Sequence, residues 1–259
     1  MARGTGYIPD TDARVAAEER LHHIGGLVGS APRNVPASVS LLSFAGGVVD
    51  DQGSTNSCVS HAGGACMFIG AAANGTPIAR PSRLWGYAVA RLYRPRQGPL
   101  ADIGCRPSDY FDGLSEFGMC AESRYPFDLG AIDNVPPLDV RQNAGDALIT
   151  GRFRIPPGPG AFAWVQRSIA ARRPVFVGMP VDAAFMALGA DGEWPGCVGP
   201  EVGRHAMAVV GYHDDKVLVL NSYGPNWGRN GCVSMPASWV ESWRVSDMQA
   251  FTTLPKVLT

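Results

Sequence analysis

The sequence predicts an α+β chain in two lobes. Apolar residues recur at helical spacing in the first half, β-like runs fill the second, and the period changes near residues 145–155. Its 259 residues are enough for one good-sized core or two packed halves. The expected division is an N-terminal extension over 1–35, a helical lobe over 36–150 and a strand-rich lobe over 151–259.

Residues 1–35 are polar, rich in Gly and Arg and without hydrophobic period, so they need the main body to order them. Residues 36–49 carry short apolar runs and read as extended. Asp51-Gln52-Gly53-Ser54-Thr55-Asn56-Ser57 is turn and cap chemistry, with Ser57 placed to cap a helix starting at the next residue. Small and apolar residues then run from Cys58 to Ala73 and stop at Asn74-Gly75-Thr76-Pro77, which predicts a buried helix opening at Cys58. Residues 81–93 predict a second helix with Leu84, Tyr87, Ala88 and Leu92 on one face, and residues 108–117 a third, closed by Gly118.

Beyond the breaker Pro156-Pro157-Gly158-Pro159-Gly160, residues 161–172 read as a helix. Residues 174–181, 205–212, 217–221 and 231–235 read as strands. His213-Asp214-Asp215-Lys216 joins two of these as a hairpin.

A formal charge of −1 gives no electrostatic reason for a nucleic-acid or membrane partner. The clusters Arg91, Arg94, Arg96 and Arg172-Arg173 read as solvated surface. No apolar leader opens the chain, so no classical signal peptide is visible; a cytoplasmic site or a non-classical route of export both fit. The six cysteines lack C-x-x-C pairs and zinc spacing, so no metal site is expected. They read as free buried thiols, with Cys197 and Cys232 the one pair worth testing for a bridge.

Cys58 in the first turn of a helix sits where free backbone N–H groups and the helix dipole favour an anion, which lowers a thiol pKa and favours the nucleophilic thiolate. Alone it would more often be an inert thiol; its company changes that reading. Gln52 offers a side-chain amide, and Cys58 a backbone N–H, to an oxygen becoming negative. His205 opens a strand and can take and return a proton. Asn221, at the end of the next strand, can fix the imidazole tautomer. Tyr223 and Trp227 can shield that hydrogen bond from water. His61, three residues after Cys58, reads as a packing residue, and His22, His23 and His213 as surface.

Gln52-Gly53…Ser57-Cys58, Arg204-His205-Ala206…Gly211-Tyr212 and Asn221-Ser222-Tyr223-Gly224…Trp227-Gly228…Asn230-Gly231 together resemble the papain family of cysteine peptidases. The opening Gly6-Tyr7-Ile8-Pro9-Asp10 is similar to the compact bacterial branch. The resemblance implies a helical lobe on an antiparallel β-barrel lobe, with the cleft between them holding an extended peptide. It implies Cys58, His205, Asn221 and Gln52 as catalytic groups, Cys58 and His205 as a thiolate–imidazolium pair, and Ser57, Gly203, Arg204 and Trp227 as substrate contacts.

Departures from the family stand at Thr55, where a disulfide-forming cysteine is frequent, leaving Cys105 free. Others are Asn56 and Val59 beside the nucleophile, Tyr223 in place of tryptophan, and Arg106-Pro107-Ser108 in place of an Asn-Gly-Gly strand that pairs with substrate. The expectation is a monomeric, cofactor-free and metal-free endopeptidase acting on peptide or protein substrates. Residues 1–35 are expected to act as a short prosegment in or near the cleft, restraining activity. The alternatives are an acyltransferase or transpeptidase using the same groups, and a non-catalytic binding protein on the same scaffold.

Overall fold

Helices gather around Cys58 and strands around His205, and the two sets meet along one helix. A computed structural model describes residues 3–11, 34–93 and 99–255. In chain order the elements are β1 (Ser38–Ser40), α1 (Cys58–Ala73), α2 (Arg83–Leu92), α3 (Pro107–Phe117), α4 (Leu138–Asn143), β2 (Ala147–Ile155), α5 (Ala161–Ala170) and β3 (Val175–Asp182). After these come α6 (Ala183–Met186), β4 (Glu201–His213), β5 (Lys216–Leu220), β6 (Cys232–Pro236), α7 (Ala237–Val240) and β7 (Asp247–Pro255).

Small residues let α1 sink into the molecule. A Cβ on Gly63 would lie 2.3 Å from the Tyr110 ring of α3, so only glycine permits that approach. The helix packs on β4, β7 and β3, which brings its first turn to the strand that carries His205. Ser82 caps α2, accepting a hydrogen bond from the Trp85 N–H. Of the expected α2 face, Leu84, Tyr87 and Ala88 are buried, but Leu92 is 42% exposed. Arg91 is buried instead, its guanidinium 3.7 Å from the Tyr87 ring centroid and donating to the carbonyls of Tyr87, Ala101 and Ile132. A buried arginine holds its charge where acceptors surround it, so its reading as solvated surface does not stand. Arg94, Arg96, His22, His23 and residues 12–33 lie outside the described residues.

The strands are antiparallel in the order β2-β7-β3-β4-β5-β6, with β1 paired to β4. They form an open path, so the barrel the resemblance implied is an open sheet among the described residues. β3 is its centre, buried along its whole length between β7 and β4. The β4–β5 hairpin turns at Asp214, whose φ is 51°, with His213 opposite Lys216. The extended stretch expected over 36–49 is strand only at β1 and then a 3-10 turn over Leu42–Ala45. All six cysteines are free and buried, so the suggested Cys197–Cys232 bridge is absent. No helix among the described residues is long and apolar enough to cross a membrane.

Candidate active site

Cys58 opens α1 as expected, and it is fully buried. Ser57 occupies the N-cap position without capping through its side chain. Its hydroxyl pairs instead with Thr55 Oγ1 at 2.7 Å and with His61 Nδ1 at 3.2 Å, inside the protein. Asn56 is anchored at both ends to Asp102, which accepts from its backbone N–H at 2.8 Å and, through its carbonyl, from Nδ2 at 2.7 Å. The same Asp102 carboxylate accepts from the Tyr87 hydroxyl at 2.7 Å, which ties the loop before the cysteine to α2.

On the facing lobe, His205 Nε2 lies 2.7 Å from Asn221 Oδ1 and Nδ1 lies 3.5 Å from the Tyr223 hydroxyl. The Tyr223 ring lies over the imidazole, centroids 4.6 Å apart at 32°. Trp227 stands edge-on behind Tyr223 at 5.7 Å, its indole N–H donating to the Phe185 carbonyl at 3.0 Å. Trp227 therefore supports the cover over His205 from the core side.

Gln52 is fully buried between the lobes. Its Oε1 accepts from the Ser222 hydroxyl at 2.6 Å, which turns Nε2 towards the carbonyls of Thr55 at 2.7 Å and Gly4 at 3.3 Å. Ser222 directly follows Asn221, so one turn after β5 supplies both the imidazole's partner and the amide's. Its adjacency to Asn221 was the one signal that could have marked it.

Gly4 belongs to the extended segment 3–11, which runs past Gln52 and Tyr223. Tyr223 donates to the Gly4 carbonyl at 3.0 Å. Tyr7 N–H donates to the Arg204 carbonyl at 3.4 Å, Cys105 N–H to the Gly6 carbonyl at 3.1 Å, and Ile8 N–H to the Cys105 carbonyl at 3.1 Å. Cys105 thus supplies the backbone pairing that Arg106-Pro107-Ser108 was not expected to provide. Gly203 abuts the segment too: a Cβ there would lie 2.4 Å from Thr5 Oγ1. The Arg204 side chain turns away to Glu201 at 3.2 Å.

Burial dominates the electrostatics. It pushes the Cys58 thiol up to about 12, although backbone groups of Ala206, Gly6, Val59 and Cys58 itself oppose the rise. It brings His205 down to about 4, with Asn221 opposing. In this covered state burial therefore works against the charged form of each group. His61, also brought to about 4 by burial, packs edge-on to Phe127 at 4.8 Å and holds Ser57, a structural role. His213 is exposed beside Asp214.

No family model matches the chain. It is 25% identical over 202 residues to an uncharacterized peptidase C1-like protein of Acanthamoeba polyphaga mimivirus, covering 73% of this chain and 64% of that one. Over 145 residues it is 28% identical to a cathepsin L-like proteinase of Fasciola hepatica, covering 53% and 43%. The chain therefore spans less than two thirds of the length of these relatives. In structure it is similar to xylellain, a cysteine protease from Xylella fastidiosa, with a TM-score of 0.72, 22% identity and 96% of each chain covered. A digestive procathepsin L 3 of Tenebrio molitor larval midgut matches with a TM-score of 0.70, 20% identity and coverage of 86% and 72%. These likenesses define the class by its architecture: the chain has a papain-like fold. Its overlap in fold with xylellain extends over nearly the whole of both chains.

Proposed function

We propose that the chain is a cysteine endopeptidase whose N-terminal segment covers its cleft until it is displaced. The observation that carries this reading is the hydrogen bond from His205 to Asn221 Oδ1, on a strand whose next residue, Ala206, brings its backbone to the Cys58 sulfur. With Nε2 committed to Asn221, Nδ1 is the nitrogen left to accept the thiol proton. The thiolate attacks the peptide carbonyl, His205 protonates the leaving amine, and water resolves the thioester with His205 again as base. Gln52 Nε2 and the Cys58 backbone N–H hold the oxygen as it becomes negative. In this scheme residues 36–150 carry the nucleophile and 151–259 the base.

Restraint rests on what the segment offers the sulfur. The backbone of Gly6 reaches the sulfur as a hydrogen-bond donor, so there the thiol meets a donor and not an electrophile. Beyond Tyr7, the fully buried Asp10 side chain accepts from Ser108 Oγ at 2.6 Å and from Arg154 at 3.0 Å, fastening the segment to both lobes. Since the segment runs past the reacting pair on both sides, an internal stretch of substrate has room to do the same.

Labelling of Cys58 by a papain-type epoxide, with mass spectrometry as the readout, tests the reading. Label and peptide hydrolysis are expected in the wild type and neither in Cys58→Ala. A chain beginning at Asn34 should react faster than the full chain; equal rates would remove the restraint.

A further inference from the structure

Among the described residues of the covering segment, Tyr7 is a large side chain buried in the sheet lobe, 3% exposed. Its ring enters above Gly178 of β3, where an added Cβ would lie 2.5 Å from a ring carbon. Any other residue at 178 would close the pocket. At the floor the phenol donates to Asp247 Oδ2 and shares a hydrogen bond with Ser246 Oγ. Asp247 opens β7 and stands opposite Gly178 in the ladder, while Ala206, the neighbour of His205, faces Gly178 from the other side. Arg154 of β2 pairs with Asp247 through its other oxygen, Oδ1, which fixes the carboxylate and leaves Oδ2 aimed at the incoming hydroxyl.

The pocket is flanked by the two backbone groups that pair with the segment, Arg204 and Cys105. It lies one residue along from Gly6, whose backbone reaches the Cys58 sulfur. An extended peptide lying in the same groove would present a side chain to this pocket beside the reacting bond.

We propose that the Gly178–Ser246–Asp247 pocket selects a substrate by its phenolic side chain, so that the chain cleaves peptides bearing tyrosine one residue from the reacting carbonyl's own. This deepens, and rests on, the peptidase reading above. A hydroxyl donated to a buried carboxylate is a charge-assisted hydrogen bond. Phenylalanine would fill the same space but leave Asp247 Oδ2 and Ser246 Oγ without that partner, the situation in which polar sites discriminate most strongly. A cationic side chain would approach an aspartate already neutralised by Arg154, and would lack the ring that fits over Gly178.

The test uses the full chain carrying Gly6→Val. A Cβ at Gly6 would lie 2.2 Å from Asn56 Cβ, so the segment cannot seat and the groove is cleared. Calorimetry with a free peptide of residues 3–11 should show binding about 10- to 100-fold tighter than for its Tyr7→Phe form. The corresponding fluorogenic substrates should show a similar ratio in kcat/KM, tyrosine over phenylalanine, leucine or arginine. Ser246→Ala should shrink both ratios while folding normally; Asp247→Asn, which disturbs Arg154 as well, is the harsher variant.

Equal binding of the two peptides, or a preference for phenylalanine or arginine, would overturn the pocket assignment while leaving the peptidase reading intact. If Cys58 stays unlabelled and no substrate is cut, the peptidase reading fails and this inference goes with it.

Discussion

His205 presents Nε2 to Asn221 Oδ1 at 2.7 Å under the stacked ring of Tyr223, whose centroid lies 4.6 Å away. The same Asn221 oxygen accepts from the Ser222 N–H at 2.8 Å, so its lone pairs are aimed from two sides. Asn221→Ala should therefore loosen the imidazole without emptying the site. One buried hydrogen bond to a group that becomes charged is worth about 1.5–3 kcal/mol, or roughly 10- to 100-fold in rate. Peptide hydrolysis and Cys58 alkylation should fall together by that factor. A variant with the wild-type alkylation rate would mean that Asn221 does not orient His205.

Gln52 makes a different prediction, because alkylation by iodoacetamide develops no carbonyl oxyanion. Gln52→Ala should reduce kcat for peptide hydrolysis by about 100-fold or more, the usual cost of losing such a donor, yet leave the alkylation rate within a few-fold. Ser222→Ala, which releases the Gln52 oxygen held at 2.6 Å, should show the same split more weakly. Parallel losses in both assays would assign Gln52 a structural role.

The candidate catalytic groups were legible because their chemistry fixes residue type and chain order. What holds them was not. Ser222, Asp102 and Arg154 act across 46 to 170 positions, and no local pattern announces such partners. The same holds for secondary structure: α2, α3 and α5 follow apolar periods and α1 and β3 to β6 stand out as apolar runs between breakers, whereas β7 was missed. Its Asp247 and Gln249 are buried beside Met248, Ala250 and Phe251, so both faces are covered and the period-two signal vanishes. β2 was missed as well, since a register shift between Ile149 and Gly151 interrupts its alternation. Leu92 and Arg91 exchanged expected places because Tyr87 and three carbonyls satisfy the guanidinium.

Burial of two neutral histidines gives the fold a pH dependence of definite sign. His205 and His61 are both brought from about 6.5 to about 4 in the folded state. The unfolded chain then binds more protons between those values, so stability is fully present above about 6.5 and is lost as pH falls towards 4. Each contributes about 3 kcal/mol by the free-energy equivalent of such a shift. The melting temperature should fall steeply between pH 6.5 and 4, and His61→Phe should flatten part of that slope. A melting temperature constant over that window would show that neither imidazole is held neutral.

Asp10 fastens the described end of the covering segment, and its loss should act on access, not on chemistry. Asp10→Ala removes one carboxylate from Arg154, while Asp247 still neutralises the guanidinium, so the sheet lobe keeps its buried charge paired. The Ser108 hydrogen bond to the segment goes as well. Segment and cleft then remain joined mainly through the Gly4, Gly6, Tyr7 and Ile8 contacts, and the open form gains population. Cys58 labelling of the full chain should accelerate about 10-fold or more, the worth of one charge-assisted contact. The fully opened Gly6→Val chain should label at the same rate with or without Asp10→Ala, because the fastening no longer matters once the segment is out. Acceleration in both backgrounds would place Asp10 in the reaction itself, and acceleration in neither would remove it from the restraint.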